Sequence, residues 1–90
     1  MQAKMNNWKK WVTETRPDVL YSKYKNRLID SGFTVCGECS KMFSPYGYTC
    51  VFLLAESHFA IHTFPEEGKT YLELTSCVDE PFYRFVEGAG

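Results

Sequence analysis

Four short β-prone runs, 33–39, 48–54, 57–64 and 70–77, succeed one another with only brief turn-rich intervals between them. Strands joined this closely pair with their neighbours as an antiparallel sheet, because a parallel pair needs a crossover of a dozen residues or more. The punctuation is explicit at Ser44-Pro45-Tyr46-Gly47 and at Pro65-Glu66-Glu67-Gly68. Ahead of these runs, Leu20, Tyr24 and Leu28 recur at fourfold spacing between Pro17 and Gly32, which predicts an amphipathic helix over 17–31. Thr15 with Asp18 three residues later has the pattern of a capping box at its start. A first strand over 8–14 and a single helical turn in 81–86 complete the reading. With the helices laid on one face of the sheet, the fold class is α+β, a two-layer sandwich.

Ninety residues suit one domain, spanning 1–90, and a chain this short buries only a modest share of its surface, so association with a second copy would help it. At 44% hydrophobic and 17% aromatic residues, there is enough apolar material for a core. The net charge of −1, with no block of Lys or Arg, argues against nucleic acid as a partner and for a small molecule. No membrane association is expected, since the apolar run 50–55 is too short to span a bilayer and the N-terminus lacks the apolar stretch of a signal peptide. The expected setting is cytoplasmic, where Cys36, Cys39, Cys50 and Cys77 act as thiols, ligands or catalysts rather than as disulfides.

Reactive side chains concentrate in Glu56-Ser57-His58-Phe59-Ala60-Ile61-His62-Thr63-Phe64-Pro65-Glu66. In an extended strand His58 and His62 leave by one face, Phe59, Ile61 and Thr63 by the other. Pattern alone equally allows two histidines hydrogen-bonded at a sheet surface. Cys36-Gly37-Glu38-Cys39 with His58 and His62 also has the form C-x2-C … H-x3-H of a zinc module, but eighteen residues separate Cys39 from His58, where such fingers have about twelve to fifteen. No metal is therefore expected. In a strand Cys36 and Cys39 would point to opposite faces.

The stretch 54–77, LAESHFAIHTFPEEGKTYLELTSC, closely resembles the self-cleavage region of bacterial and archaeal pyruvoyl-dependent S-adenosylmethionine decarboxylases. That family shows Glu-Ser-His, then Ile-His-Thr, an aromatic residue, Pro-Glu, and a cysteine at the end of the following strand. A looser resemblance runs from about Leu20 through SGFTV and FSPYG to Phe85. The resemblance implies a proenzyme that cuts itself between Glu56 and Ser57 into 1–56 (a beta chain) and 57–90 (an alpha chain), leaving a pyruvoyl group derived from Ser57 as the cofactor. It assigns acid–base work in this processing to His62, with a hydroxyl partner at Thr49, where the family usually has Ser. The pyruvoyl carbonyl would form a Schiff base with the substrate amine and act as the electron sink for loss of CO2, giving the aminopropyl donor for spermidine synthesis. Cys77 would then return a proton, a role open to a buried thiol of ordinary acidity. Phe43 matches a residue that stacks on adenine, and Glu66 one that binds the ribose hydroxyls. Phe64 stands where the family often has Trp.

Without the resemblance, Thr49 reads as a strand residue, Cys77 as a small core hydrophobe and Glu66 as a solvated turn residue. Within it, ornithine or arginine is an alternative substrate, and an inactive homologue an alternative fate. Members of the family form dimers with sites near the interface, so a homo-oligomer, and specifically a dimer, is implied. The chain is shorter than they are at the first strand and at the C-terminal end, where the family continues into another helix and strand.

Overall fold

The computed structural model describes residues 4–89; residues 1–3 and 90, the ends of the expected single domain, lie outside the described part. Five strands, β1 (Asn6–Val12), β2 (Val35–Met42), β3 (Tyr48–Leu54), β4 (Ser57–Phe64) and β5 (Lys69–Ser76), form one sheet in the order β1-β5-β4-β3-β2. Every neighbouring pair is antiparallel. Helices α1 (Pro17–Ser31) and α2 (Asp79–Ala89) cover one face, giving the α+β two-layer sandwich expected from the sequence.

Period-two alternation in β3, β4 and β5 builds the core. Cys50, Phe52, Leu54, Phe59, Ile61, Leu72 and Leu74 all point toward the helices and are buried, and Leu20, Tyr24 and Leu28 of α1 meet them from above. Tyr24 stacks on Phe59 with ring centroids 5.4 Å apart. Phe85 of α2 fits edge-on against Trp8 at 5.2 Å and against Phe59 at 5.4 Å, which ties the second helix to the β1 side of the sheet.

The helix ends show which local signals operate. At the C-terminus Gly32 takes φ 106, the N–H of Phe33 donates to the Leu28 carbonyl at 3.1 Å, and that of Gly32 to Ile29 at 3.0 Å. This is a Schellman closure, with the buried Leu28 and Phe33 supplying its hydrophobic contact. At the N-terminus the expected Thr15–Asp18 capping box does not form; Arg16 is the cap residue and makes no side-chain cap bond. Glu14 instead fixes the chain just ahead of the helix. Its Oε2 accepts from the Thr15 and Arg16 N–H groups at 3.1 and 3.0 Å, its Oε1 accepts from Arg16 Nη2 at 2.8 Å, and its own carbonyl accepts from buried Thr70 at 2.6 Å. The other differences are modest. β1 begins two residues before the expected run, β2 is displaced to 35–42, and α2 extends to three turns because Phe82 and Phe85 have a core to bury against.

Hydrogen bonds from Arg16 hold the Glu14 carboxyl down from 4.5 to about 2. A depressed carboxylate stabilises the fold above its unfolded value and loses that contribution as pH falls toward its folded one. Glu14→Gln is therefore expected to lower the melting temperature at pH 7, with the gap to the parent chain closing between about pH 4.5 and about pH 2; a gap that persists unchanged at the acid end would exclude this role.

Candidate functional site

Glu56 and Ser57 lie where β3 turns into β4. Leu54 pairs with Ser57, so Ala55 and Glu56 form a two-residue connection. Glu56 has φ 60, and it alone has a positive φ among the described non-glycine residues. Such a conformation costs a side-chain-bearing residue about 1 kcal/mol or more relative to glycine. The strain therefore falls on the residue whose carbonyl the family resemblance marks for attack, in keeping with the tendency of strained backbone to gather at functional positions.

That carbonyl is not free. Its oxygen accepts from the Cys77 thiol at 3.1 Å and, more distantly, from the Cys77 N–H at 3.4 Å. Two donors aimed at a carbonyl oxygen favour the negative charge that develops there when a nucleophile adds to the carbon. The Cys77 sulfur also lies 3.8 Å from the Glu56 carboxylate. Cys77 follows the last residue of β5 and is exposed, not buried as the sequence reading expected; with Leu72, Leu74 and Ser76 inward, the alternation turns the next side chain outward.

Ser57 opens β4 on the helix-facing side and is buried, 7% exposed. Its hydroxyl donates to Ser76 Oγ at 2.6 Å across the β4–β5 pair. Ser76 was not among the residues singled out from the sequence. The available signal was a polar side chain at a core position of β5, directly opposite another at a core position of β4.

The remaining candidates lie elsewhere. Thr49, His62, Tyr71 and Trp11 form one row across the sheet face that the helices leave open. Thr49 Oγ1 and His62 Nδ1 are 3.1 Å apart, so the expected hydroxyl–imidazole pair is formed. The Tyr71 ring stacks on His62 at 6.4 Å and 21°, and its hydroxyl donates to Glu73 at 2.7 Å. That bond to the carboxylate raises the Tyr71 pKa. Phe43 sits in the β2–β3 connection, where its N–H donates to the Gly47 carbonyl at 2.8 Å. It borders a groove of about 290 Å³ with Arg16, Met42, Tyr46, Tyr48 and Pro65. Glu66 is exposed in the 3-10 turn Pro65–Glu67 that follows β4, beside the groove-lining Pro65.

The candidates thus fall into two groups. Glu56, Ser57 and Cys77, with Ser76, occupy one end of the sheet; Thr49, His62, Phe43 and Glu66 occupy the other. Five residue steps of extended strand lead from Ser57 to His62, about 17 Å along β4, and the two side chains leave by opposite faces. Within one chain they do not meet.

The C-x2-C and H-x3-H elements also stay apart. Cys36 and Cys39 lie on the edge strand β2, both exposed, with a bulge between Val35 and Gly37, whereas His58 and His62 lie two strands away on β4. Among the described residues no three His, Cys, Asp or Glu side chains come together as a metal-binding cluster. All four cysteines are free thiols. No helix of the described residues is long and apolar enough to cross a membrane.

Comparison with known proteins agrees with the motif. The profile of the S-adenosylmethionine decarboxylase family matches residues 15–88. An S-adenosylmethionine decarboxylase proenzyme of Archaeoglobus fulgidus is 41% identical over 77 residues, covering 80% of this chain and 69% of that protein. One from Symbiobacterium thermophilum is 50% identical over 46 residues, covering 51% of this chain and 35% of its own length, and one from Brevibacillus brevis 48% over 57 residues, covering 59% and 43%. The crystal structure of the adenosylmethionine decarboxylase from Aquifex aeolicus superimposes with a TM-score of 0.67 at 29% identity, over 80% of this chain and 60% of that one. The chain thus spans between about a third and about two thirds of these relatives' lengths.

The strain at Glu56 is testable without any chemistry. In a Ser57→Ala background, which keeps the chain intact, Glu56→Gly is expected to raise the unfolding free energy by about 1 kcal/mol in urea denaturation. Equal or lower stability would show that the turn is relaxed.

Proposed function

The chain belongs to the S-adenosylmethionine decarboxylase family, and from that premise we propose that it is a pyruvoyl-dependent decarboxylase proenzyme that cuts itself between Glu56 and Ser57. The observation that carries this reading is the Glu56 carbonyl, strained in a hairpin turn next to Ser57 and hydrogen-bonded by the Cys77 thiol and N–H.

The processing chemistry follows from these atoms. Ser57 Oγ adds to the Glu56 carbonyl carbon, the carbon–nitrogen bond between the two residues breaks, and the Ser57 nitrogen ends with the hydroxyl proton, so that an amide becomes an ester. Cys77 holds the carbonyl oxygen while charge builds on it. Loss of the Ser57 Cα proton then expels the Glu56 carboxylate and ends the fragment 1–56. The dehydroalanine left at 57 takes up water and loses ammonia, which leaves the pyruvoyl group at the start of 57–90. When formed, that group supplies an electron sink for loss of CO2 from an amino acid. Cys77 beside it serves as proton donor to the product. The cytoplasmic setting expected from the sequence suits a thiol that must stay reduced.

Phe43 and the groove it borders favour a flat nucleoside with a sulfonium, hence S-adenosylmethionine as substrate, with Glu66 at the groove's margin for the ribose hydroxyls. His62 and Thr49 are the acid–base pair for processing, yet they stand about 17 Å from Ser57 of their own chain. A second copy resolves this. Two chains stacked open face to open face with their strands running oppositely would bring the partner subunit's His62 to the end of the sheet that carries the Glu56–Ser57 peptide. Leu53 and Trp11, 58% and 51% exposed on that face, are apolar surface that such a dimer would cover.

Purified protein is expected to give two fragments by mass spectrometry, 1–56 and 57–90, the second bearing a pyruvoyl group, and to release CO2 from carboxyl-labelled S-adenosylmethionine in preference to ornithine or arginine. Ser57→Ala should remain one chain. Cys77→Ala should process more slowly, by roughly a hundredfold for one lost oxyanion donor, and its processed fraction should lose most turnover. A parent chain that stays intact after prolonged incubation would refute the reading.

A further inference from the structure

We propose that Ser76 is a positioning residue for self-cleavage, fixing the Ser57 hydroxyl so that its proton points away from Glu56 and its lone pairs stay free to attack. The inference rests on the reading of Ser57 given above and concerns a residue to which the motif assigns no role.

A hydroxyl has one proton to give and two lone pairs to receive. Ser76 uses all three. Its O–H donates to the Val78 carbonyl at 3.2 Å, and its oxygen accepts from the Val78 N–H at 2.9 Å and from the Ser57 hydroxyl at 2.6 Å. The two bonds to Val78 form a local serine turn where β5 ends, so the direction of the Ser76 proton is set by the backbone. Because that proton is committed, the short bond to Ser57 runs in one sense only, from Ser57 to Ser76. Ser76 is fully buried and Ser57 nearly so, which keeps water from competing.

A serine that donates its own proton sideways keeps its lone pairs for another partner. A freely rotating Ser57 hydroxyl would instead turn its proton toward Glu56 as readily as its lone pairs, and a proton directed there occupies the trajectory an attacking oxygen needs. Ser76 removes that competition and fixes one side-chain rotamer, the geometric restriction that makes an intramolecular attack fast. Ser76 is not the base. A neutral hydroxyl is too weak a base, since taking the proton would make it an oxonium, and the proton that Ser57 sheds passes on to the departing nitrogen with help from an acid–base group.

The test follows processing in time for the parent chain, Ser76→Ala and Ser76→Thr by intact mass, with hydroxylamine added to parallel samples to cut any ester that has formed. Ser76→Ala is expected to cleave at least about tenfold more slowly and to show no hydroxylamine-sensitive ester build-up, while Ser76→Thr, which keeps the hydroxyl, should fall within about threefold of the parent. Should the alanine chain fail to fold, Ser76→Cys is the second variant; it keeps the volume but is a poor acceptor, and it should be slowed as well. Cleavage of either hydroxyl-free variant at the parent rate would overturn the role of Ser76 alone. Equal slowing of the alanine and threonine variants, tracking a common loss of melting temperature, would overturn it in favour of simple packing. A parent chain that never cleaves would overturn the reading of Ser57 together with this one.

Discussion

Everything about this site is governed by the pleat of β4. Successive side chains of a strand leave by opposite faces, so residues an odd number apart can never share one. Ser57, Phe59, Ile61 and Thr63 face the helices, and His58 and His62 face away. The core requires that register, because slipping it by one would expose Phe59 and Ile61 and bury both histidines. The same register that packs the domain separates the serine to be cut from the imidazole expected to help cut it. Stability within one chain and the separation of Ser57 from His62 are thus consequences of one constraint.

The turn before β4 holds the complementary half of the chemistry. Glu56 takes a left-handed conformation that the adjoining strands impose, and the end of β5 brings Cys77 and Ser76 to it from the other side. Cys77 bonds to the Glu56 carbonyl oxygen, and Ser76 accepts from the Ser57 hydroxyl. Both positions are set by the β4–β5 ladder, in which Ser57 pairs with Ser76, so the precision of the site comes from strand register rather than from a flexible loop.

Much of this was legible in the residues. Pro17 and Gly32 bound α1 because one has a fixed φ suited to the first turn and the other tolerates the left-handed closing conformation. Alternation marked the strands, and the ESH–IHT–PE–C constellation marked the site. The capping box misled because Thr15 precedes the true cap residue and its N–H, with that of Arg16, goes to Glu14 instead of Asp18. The length of α2 was hidden because Pro81 and a short apolar run say little until a sheet is present for Phe82 and Phe85 to cover. Cys77 looked buried because a thiol is so often a small core residue, although alternation, with Leu72, Leu74 and Ser76 inward, turns position 77 outward. The division of the site was in fact readable, since Ser57 and His62 are five apart in a period-two element; a dense motif invites the assumption that its members meet. Ser76 was unreadable for a different reason, since its meaning depends on pairing between two strands.

The central claim is that Ser57 of one chain is served by His62 of another, and mixed pairs test it most directly. Ser57→Ala and His62→Ala chains carrying different tags are co-expressed, and the mixed dimers are isolated by sequential capture. Each chain is expected to stay intact alone, while in the mixed dimer the His62→Ala chain is cut after Glu56, because it keeps Ser57 and its partner keeps the imidazole. An uncut His62→Ala chain in isolated mixed dimers, or its cleavage alone at the parent rate, would contradict it.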